Sequence, residues 1–483
     1  MYSIWQKDSI DWNFPIISDD HETKLLIIGG GLTGLLCAYQ LTKEGIPFIL
    51  VDARRLAHGV TMKTTAQISV AHDDLYYKIK KKHSFKKAHE YLSQQINGLN
   101  YFKSIIEVEK INCDYKEERT ILGSGLEKNY KKVNALYDII NPLLDIGKLE
   151  YNNSFLGIHK AIEFPNEASI NPIKYLNGII STLKDQQIYE HSKVTKIKKL
   201  KKSYEVIIND NFKITADKII MACHYPFMLQ NLYFTKMYQS TSYVMTFKTK
   251  KRLSANYVSL DRPYYYLRSY DKNTLMIGGS DHFTGANKDI NKCYHLLQKK
   301  IYEIDKNAII KDRWFNEDCM PLNFLPYVGP YSKKHSNIIL ATGFQKWGFT
   351  NAHAAALKIN VLLKEDYKPN KLALIKNIKG YLRLVGHSIN GLAISRLIMK
   401  SDELKNINIE SGKAFRYQGK NILAYRANEN EYYLFENKCT HMGCTLIWNN
   451  VDKVWISKCH GTVYNKHGHV IYGPGIKDLE KIN

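Results

Sequence analysis

The chain has 483 residues, 44% of them hydrophobic and 24% charged, which is enough for two or three domains with cores of their own. Disulfide-stapled miniproteins, coiled coils and collagen-like fibres are excluded, and 34 Tyr, 17 Phe and 6 Trp are too much aromatic surface for a disordered chain. The 69 Lys and Arg against 46 Asp and Glu give +23; 11 basic and 9 acidic residues from Ser401 onward leave +21 in the first 400. Two dense runs, Lys78-Ile79-Lys80-Lys81-Lys82 with Lys86-Lys87 and Lys196 through Lys202, read as solvated surface in a lysine-rich composition. No zinc finger or similar signature points to nucleic acid as a partner. No apolar run reaches the ~18–20 residues of a membrane span. Met1-Tyr2-Ser3-Ile4-Trp5-Gln6-Lys7-Asp8 has neither the basic start nor the apolar core of a secretory signal, so a cytoplasmic location is expected.

After an N-terminal arm, 1–22, Lys24-Leu25-Leu26-Ile27-Ile28 reads as a buried parallel strand. Gly29-Gly30-Gly31-Leu32-Thr33-Gly34 follows at once, then a helical pattern through Leu35, Leu36, Ala38, Tyr39 and Leu41 to Gly45. Pro47-Phe48-Ile49-Leu50-Val51 is a second buried strand, ending in Asp52. Gly29 permits a tight strand-to-helix turn, Gly31 lets backbone approach a pyrophosphate, and Gly34 lets the helix pack on the strand. The N–H groups at the helix start face the phosphates, and Asp52 can accept both hydrogen bonds of an adenosine ribose.

Arg54 through Gln67 is a polar, Thr-rich loop where an NAD enzyme would start its next helix. Asn337-Ile338-Ile339-Leu340-Ala341-Thr342-Gly343 is another buried strand, followed by Phe344-Gln345-Lys346-Trp347-Gly348-Phe349-Thr350 and an Ala-rich helix from Asn351. These segments resemble the FAD-dependent oxidoreductases of the D-amino-acid oxidase and glycine oxidase superfamily. Ser192 to Ile197 and Ala216 to His224 resemble two strands of that family, the first the strand that clasps the adenine and the second a buried strand running into a small-residue turn. The resemblance implies an α/β flavin domain of Rossmann type interleaved with a mixed α+β substrate domain, over 23–365. It implies FAD, held through Gly29, Gly31, Gly34, Asp52, Thr64, Thr65, Val194, Gly343, Trp347, Gly348 and Thr350. In the family the late Gly-rich turn sets a helix N-terminus against the flavin, where a positive dipole favours the reduced anion.

Tyr264 to Tyr270 reads as a strand followed by a turn, and many superfamily members clamp a substrate carboxylate with an arginine from this region. Arg268 is the corresponding choice and Trp347 the second catalytic candidate. Lys346 reads as solvent-facing, and Gly278 to Gly285 as a turn after a strand whose lone His282 reads as structural and is left out of the site. Met62 stands where the superfamily has Gly, and Lys63 where a related bacterial subgroup has His, so a histidyl-flavin bond is not available there.

A helical linker is expected over 366–405, then an all-β domain over 406–483 with strands near Lys413–Tyr417, Ile422–Tyr425 and Tyr432–Phe435. Cys37, Cys113, Cys223, Cys293 and Cys319 read as ordinary buried thiols; Cys439, Cys444 and Cys459 cluster. Cys439-Thr440-His441-Met442-Gly443-Cys444, then Ser457-Lys458-Cys459-His460-Gly461 and Gly473-Pro474-Gly475, are similar to the Rieske family, in which C-x-H and C-x-x-H loops hold a [2Fe–2S] cluster. The resemblance makes Cys439, His441 and His460 metal ligands and Cys444 with Cys459 a disulfide pair. It puts Ser457 at the second thiolate position, a hard oxygen donor in place of a soft one. The cage therefore reads in three ways: a cluster with Ser457 or a displaced Cys459, a Rieske-like fold without iron, or another metal on Cys439, His441 and His460.

Together these features point to an oxidoreductase that passes hydride from a small amine or amino-acid-like molecule to flavin. The tail is then an electron outlet to an acceptor protein or quinone, or a packing and docking module. A flavin-binding regulatory protein and a basic RNA-associated flavoprotein are the readings from other classes.

Overall fold

The computed structural model describes residues 3–150, 156–228, 232–286, 289–364, 384, 386 and 389–482. Strand His21–Ile28 is buried along its last four residues, as a central strand covered on both faces must be. It pairs in parallel with Phe212–Met221 on one side and Ile49–Val51 on the other. Ile338–Thr342 and Gln187–Tyr189 extend the parallel order outward, and Tyr327–Pro330 adds an antiparallel edge. Neighbours in this sheet are thus drawn from widely separated parts of the chain, which makes the domain discontinuous. Helices Leu32–Lys43, Phe85–Glu109 and Gly348–Lys364 pack together beside the sheet. Gly98 permits the closest approach, since a Cβ there would lie 2.4 Å from the Thr350 carbonyl oxygen.

The inserted substrate region is built on a nine-stranded sheet, from Ile309–Pro321 and Met237–Lys248 at one side to Lys160–Ser169 and Gln67–Ile68 at the other. The turn expected at Gly278 is instead the middle of strand Thr274–Phe283. Gly279 sits there at φ +147° because a Cβ would lie 2.0 Å from the Tyr264 carbonyl oxygen. The pair of glycines marks a close backbone crossing, and the chain turns only after Phe283.

The tail carries a three-stranded sheet (Ser411–Tyr417, Lys420–Arg426, Tyr432–Glu436) and a four-stranded one (Leu446–Asn449, Val454–Ser457, Val463–Asn465, Val470–Tyr472). One face of the second sheet (Leu446, Trp455, Tyr464) packs into the tail's own core with Leu423, Tyr425 and Phe435, and the other face packs onto the body. Val454, Ile456, Val463 and Tyr472 share one apolar cluster with Tyr243, Phe247, Leu297 and Phe315 of the substrate region. Removing each such side chain from water is worth about 1.5–3 kcal/mol, so the tail is fixed to the body. The backbones touch as well: a Cβ on Gly285 would lie 2.5 Å from the Lys458 Cα.

The arm is also docked. Trp5 is buried and donates through Nε1 to the Thr64 carbonyl at 2.8 Å. Of the linker expected over 366–405, 366–383, 385, 387 and 388 lie outside the described residues; helical turns occur at Asn390–Leu397 and Leu404–Asn406. No helix among the described residues is long and apolar enough to cross a membrane.

Candidate active site

One cavity opens at the carboxyl ends of the parallel strands, with Ile28, Val51, Ala222 and Thr342 on its rim. In open α/β sheets this is where ligands bind. Gly29, at φ +110°, crosses the neighbouring strand so closely that a Cβ would lie 2.7 Å from the Ala222 carbonyl oxygen. Gly34 seats the helix, since a Cβ there would lie 1.8 Å from the Gly29 oxygen. Gly31, by contrast, lines the cavity, and a Cβ on it would meet only Thr61 Oγ1 at 3.7 Å. Asp52 Oδ2 accepts from Gly30 N–H and Oδ1 from Arg54 N–H, both at 2.7 Å. These bonds fix a carboxylate at the cavity while leaving it acceptor capacity.

Thr64, Thr65, Val194, Gly343, Trp347 and Gly348 also line this cavity. Gly348 opens the helix that runs to Lys364, so the positive end of that helix faces the cavity. Thr350 does not reach the cavity. Its hydroxyl meets the Ser69 carbonyl at 3.3 Å and His72 Nε2 at 3.0 Å, so it joins buried elements behind the wall.

Arg268 is placed differently from the clamp expected of it. It is buried, lies outside the cavity lining, and donates through Nη1 to the carbonyls of Thr65 (2.7 Å) and Ala66 (2.6 Å) and through Nε to Ser269 (3.0 Å). Its guanidinium carbon lies 5.8 Å from the Trp5 ring centre. The donors are spent on backbone, and the residue holds the turn that carries Thr64 and Thr65. Trp347 is at the cavity, stacked on His72 at 4.7 Å and met edge-on by Tyr266 at 5.8 Å.

Lys346 is buried rather than solvent-facing, and its Nζ lies 2.9 Å from Asp281. Burial acts to lower its pKa, but Asp281, Asp318 and Asp73 outweigh that and raise it. Asp318, which lines the cavity, is pushed up to about 6 by burial, against the pull of Lys346. Lys63, on the loop after Asp52, is lowered to about 8 by burial despite the opposing Glu317. Its carbonyl accepts from Trp314 Nε1 at 2.8 Å. His282 borders a second cavity with Asp281, Tyr264 and Arg262.

In the tail, the rings of His441 and His460 lie 5.0 Å apart, nearly perpendicular. Cys444 and Cys459 are disulfide-bonded. Cys439 is a buried free thiol whose Sγ lies 3.5 Å from the Tyr464 hydroxyl. Ser457 Oγ and His441 Nδ1 are buried without a hydrogen-bond partner among the described residues. The pair of histidines faces the body. Tyr225 lies 6.3 Å from His441 and 6.2 Å from His460, and Phe234 lies 5.8 Å from His460. Tyr225 also lines the cavity beneath the glycine turn.

Residues 24–359 match the family model "FAD dependent oxidoreductase". The chain belongs to that family. Residues 396–483 of this oxidoreductase match the Rieske [2Fe-2S] domain. It is 28% identical over 494 residues to the putative Rieske 2Fe-2S iron-sulfur protein YhfW of Bacillus subtilis, covering 99% of this chain and 97% of that one. It is 21% identical over 372 residues to gamma-glutamylputrescine oxidoreductase of Escherichia coli, covering 73% and 86%. The crystal structure of glycine oxidase from Geobacillus kaustophilus superposes with a TM-score of 0.60 at 14% identity, over 74% of this chain and 99% of that one.

The residues of the oxidoreductase fit FAD. Gly31 leaves an open place at the helix mouth, Asp52 stands beside it, and Arg54, Lys63 and Lys193 line the same cavity with positive charge. They do not fit the standard donor set of a [2Fe–2S] cluster, which takes two thiolates and two imidazoles. With Cys444 and Cys459 bonded to each other, the cage presents Cys439 as its one thiol, with Ser457 at the other thiolate position. Sequence reasoning missed Asp318, Tyr266 and the tail residues at the cavity. A signal for Asp318 was present: Asn316-Glu317-Asp318 puts three polar residues between the apolar pairs Trp314-Phe315 and Cys319-Met320 of one strand.

Proposed function

We propose that the chain oxidises the C–N bond of a small amine or amino-acid-like molecule, with bound FAD supplying the hydride acceptor. The observation that carries this reading is the meeting of Trp347, Tyr266 and Asp318 in the cavity that begins at the glycine turn. Trp347 and Tyr266 form an aromatic corner, suited to orient an apolar or cationic substrate group. The Asp318 carboxylate is placed to take the proton of a substrate ammonium, leaving the neutral amine that oxidation requires. Lys346, tied to Asp281, holds positive charge beside it. Arg268 acts at one remove, by fixing the Thr65–Ala66 turn. The likeness to glycine oxidase and to gamma-glutamylputrescine oxidoreductase supports a C–N bond as the target.

Anaerobic mixing with a panel of amines and amino acids tests this. Bleaching of the flavin absorbance by one of them is the expected result. A panel that leaves it unbleached, while dithionite bleaches it, defeats the reading.

For the electron outlet, the donor set at the cage favours a diffusible acceptor entering the flavin cavity. Exit through the tail to an acceptor protein or quinone would run through a cluster whose second thiolate position is the hard oxygen of Ser457.

A further inference from the structure

The last strand of the tail, Val470–Tyr472, and the turn after it enter the flavin cavity, where Ile471, Tyr472, Gly473, Gly475 and Ile476 form part of the lining. Two cations from the loop after Asp52 meet them there. Arg54 donates through Nη1 to the Ile471 carbonyl. Lys63 Nζ lies 3.9 Å from the centre of the Tyr472 ring and 5.3 Å from that of Phe315. Arg54 and Lys63 both line the cavity themselves.

The position of this tail segment is set from behind. Gly473 is at φ +109°, and a Cβ there would lie 2.6 Å from Thr462 Cα; one on Gly475 would lie 2.7 Å from Thr462 Cγ2. The turn is therefore pressed onto the loop that carries His460. That loop is seated on the body in turn. With its nitrogen facing the carbonyls, the Gln239 amide donates to His460 O at 2.8 Å and Gly461 O at 3.2 Å. A Cβ on Gly461 would lie 1.8 Å from that amide group of Gln239.

We propose that the tail is a wall of the FAD site, in which Tyr472 and the Ile471 carbonyl hold Lys63 and Arg54 toward the bound dinucleotide. This rests on FAD binding at the glycine turn and adds a second region of the chain to it. The chemistry is complementary: FAD carries two phosphate charges, and Lys63 and Arg54 are positioned by a ring face and a carbonyl, with Glu317 and Asp452, both raised in pKa by burial, the carboxyl groups that act on Lys63.

Hydrogen exchange of the full deflavinated chain, before and after FAD is added, tests the proposal. Slower exchange of amides 470–476 together with amides 29–34 is expected. Slowing at 29–34 alone overturns the proposal and leaves FAD binding at the glycine turn standing. No slowing at either place overturns both. Titration of the full chain with FAD is the second measurement. Tyr472→Ala is expected to raise the Kd about tenfold. Tyr472→Phe is expected to keep it, and Lys63→Met added to Tyr472→Ala to cost less than it does alone. A folded Tyr472→Ala chain whose Kd stays within about twofold of the parent overturns the proposal. If that variant does not fold, the exchange measurement on the parent decides.

Discussion

Arg268 Nη1 donates to the carbonyl oxygen of Ala66 at 2.6 Å, joining residues 202 positions apart. Ala66 sits at φ +55°, a conformation that a side-chain-bearing residue holds only under constraint. Arg268→Lys keeps a charge but loses the planar fork that reaches several carbonyls at once. We expect it to lower stability by roughly 2–4 kcal/mol, because buried carbonyls lose their donor. Denaturant unfolding measures this. The flavin content of the purified variant should fall with it, whereas a carboxylate-clamp role would raise KM and leave flavin content unchanged.

Gly34→Ala should expel the cofactor. The added Cβ would lie 1.8 Å from the Gly29 oxygen, a backbone atom that can move only if the turn opens. The variant is expected to purify colourless with its secondary structure kept. A yellow protein with the parent's flavin-to-chain ratio would contradict the role given to this turn.

Asp318 sets a pH limb. Burial raises its carboxyl to about 6, so below that pH it is protonated and cannot take a proton from the substrate. Flavin bleaching by substrate should slow as pH falls through about 6, and Asp318→Asn should flatten that limb, read by stopped flow. The stability effect has the opposite slope. Between the ordinary carboxyl value and about 6 the folded state binds the extra proton, so this group's contribution to stability falls as pH rises through that window. Comparing urea midpoints of parent and Asp318→Asn at the two ends of the window checks the sign.

Ser457→Cys supplies the missing thiolate without touching the Cys444–Cys459 bond. Protein made and purified without oxygen should then hold more iron and acid-labile sulfide than the parent, with a cluster absorbance beneath the flavin bands. Equally low iron and sulfide in the two proteins would show that the cage fails for a reason other than its fourth donor, and equally high values that the parent cage already holds a cluster.

Cys444→Ser opens a cross-link between residues 15 apart in sequence. A loop of that size is worth about 3 kcal/mol by the chain-entropy account. Chemical unfolding should show a loss of that order, and reducing the parent should reproduce it. Because one face of the second tail sheet packs into the substrate region's core, the loss should register in the main transition and not as a separate early step.

The strand, the glycine turn, the helix and Asp52 could be read from the sequence because their geometry depends on neighbours in the chain. The loop spacing of Cys439, His441 and His460 was legible for the same reason. Arg268 was not, because its fate turns on carbonyls brought in from about 100 and 200 residues away. Spacing shows that a guanidinium is present but not what it donates to. Thr350 failed likewise: its register on the helix is right for the cavity turn, yet its hydroxyl bonds behind the wall. Lys346 looked like a solvated lysine because its carboxylate partner, Asp281, is remote in the chain.

The contact of Arg54 with Ile471 spans 417 positions, and this bears on biosynthesis. During translation the glycine turn emerges first, and every other stretch of the cavity is made before Val470–Ile476. A chain lacking that stretch has a cleft with one side open. With the tail as a wall of the FAD site, flavin loading is expected to be completed only after the tail has emerged and docked.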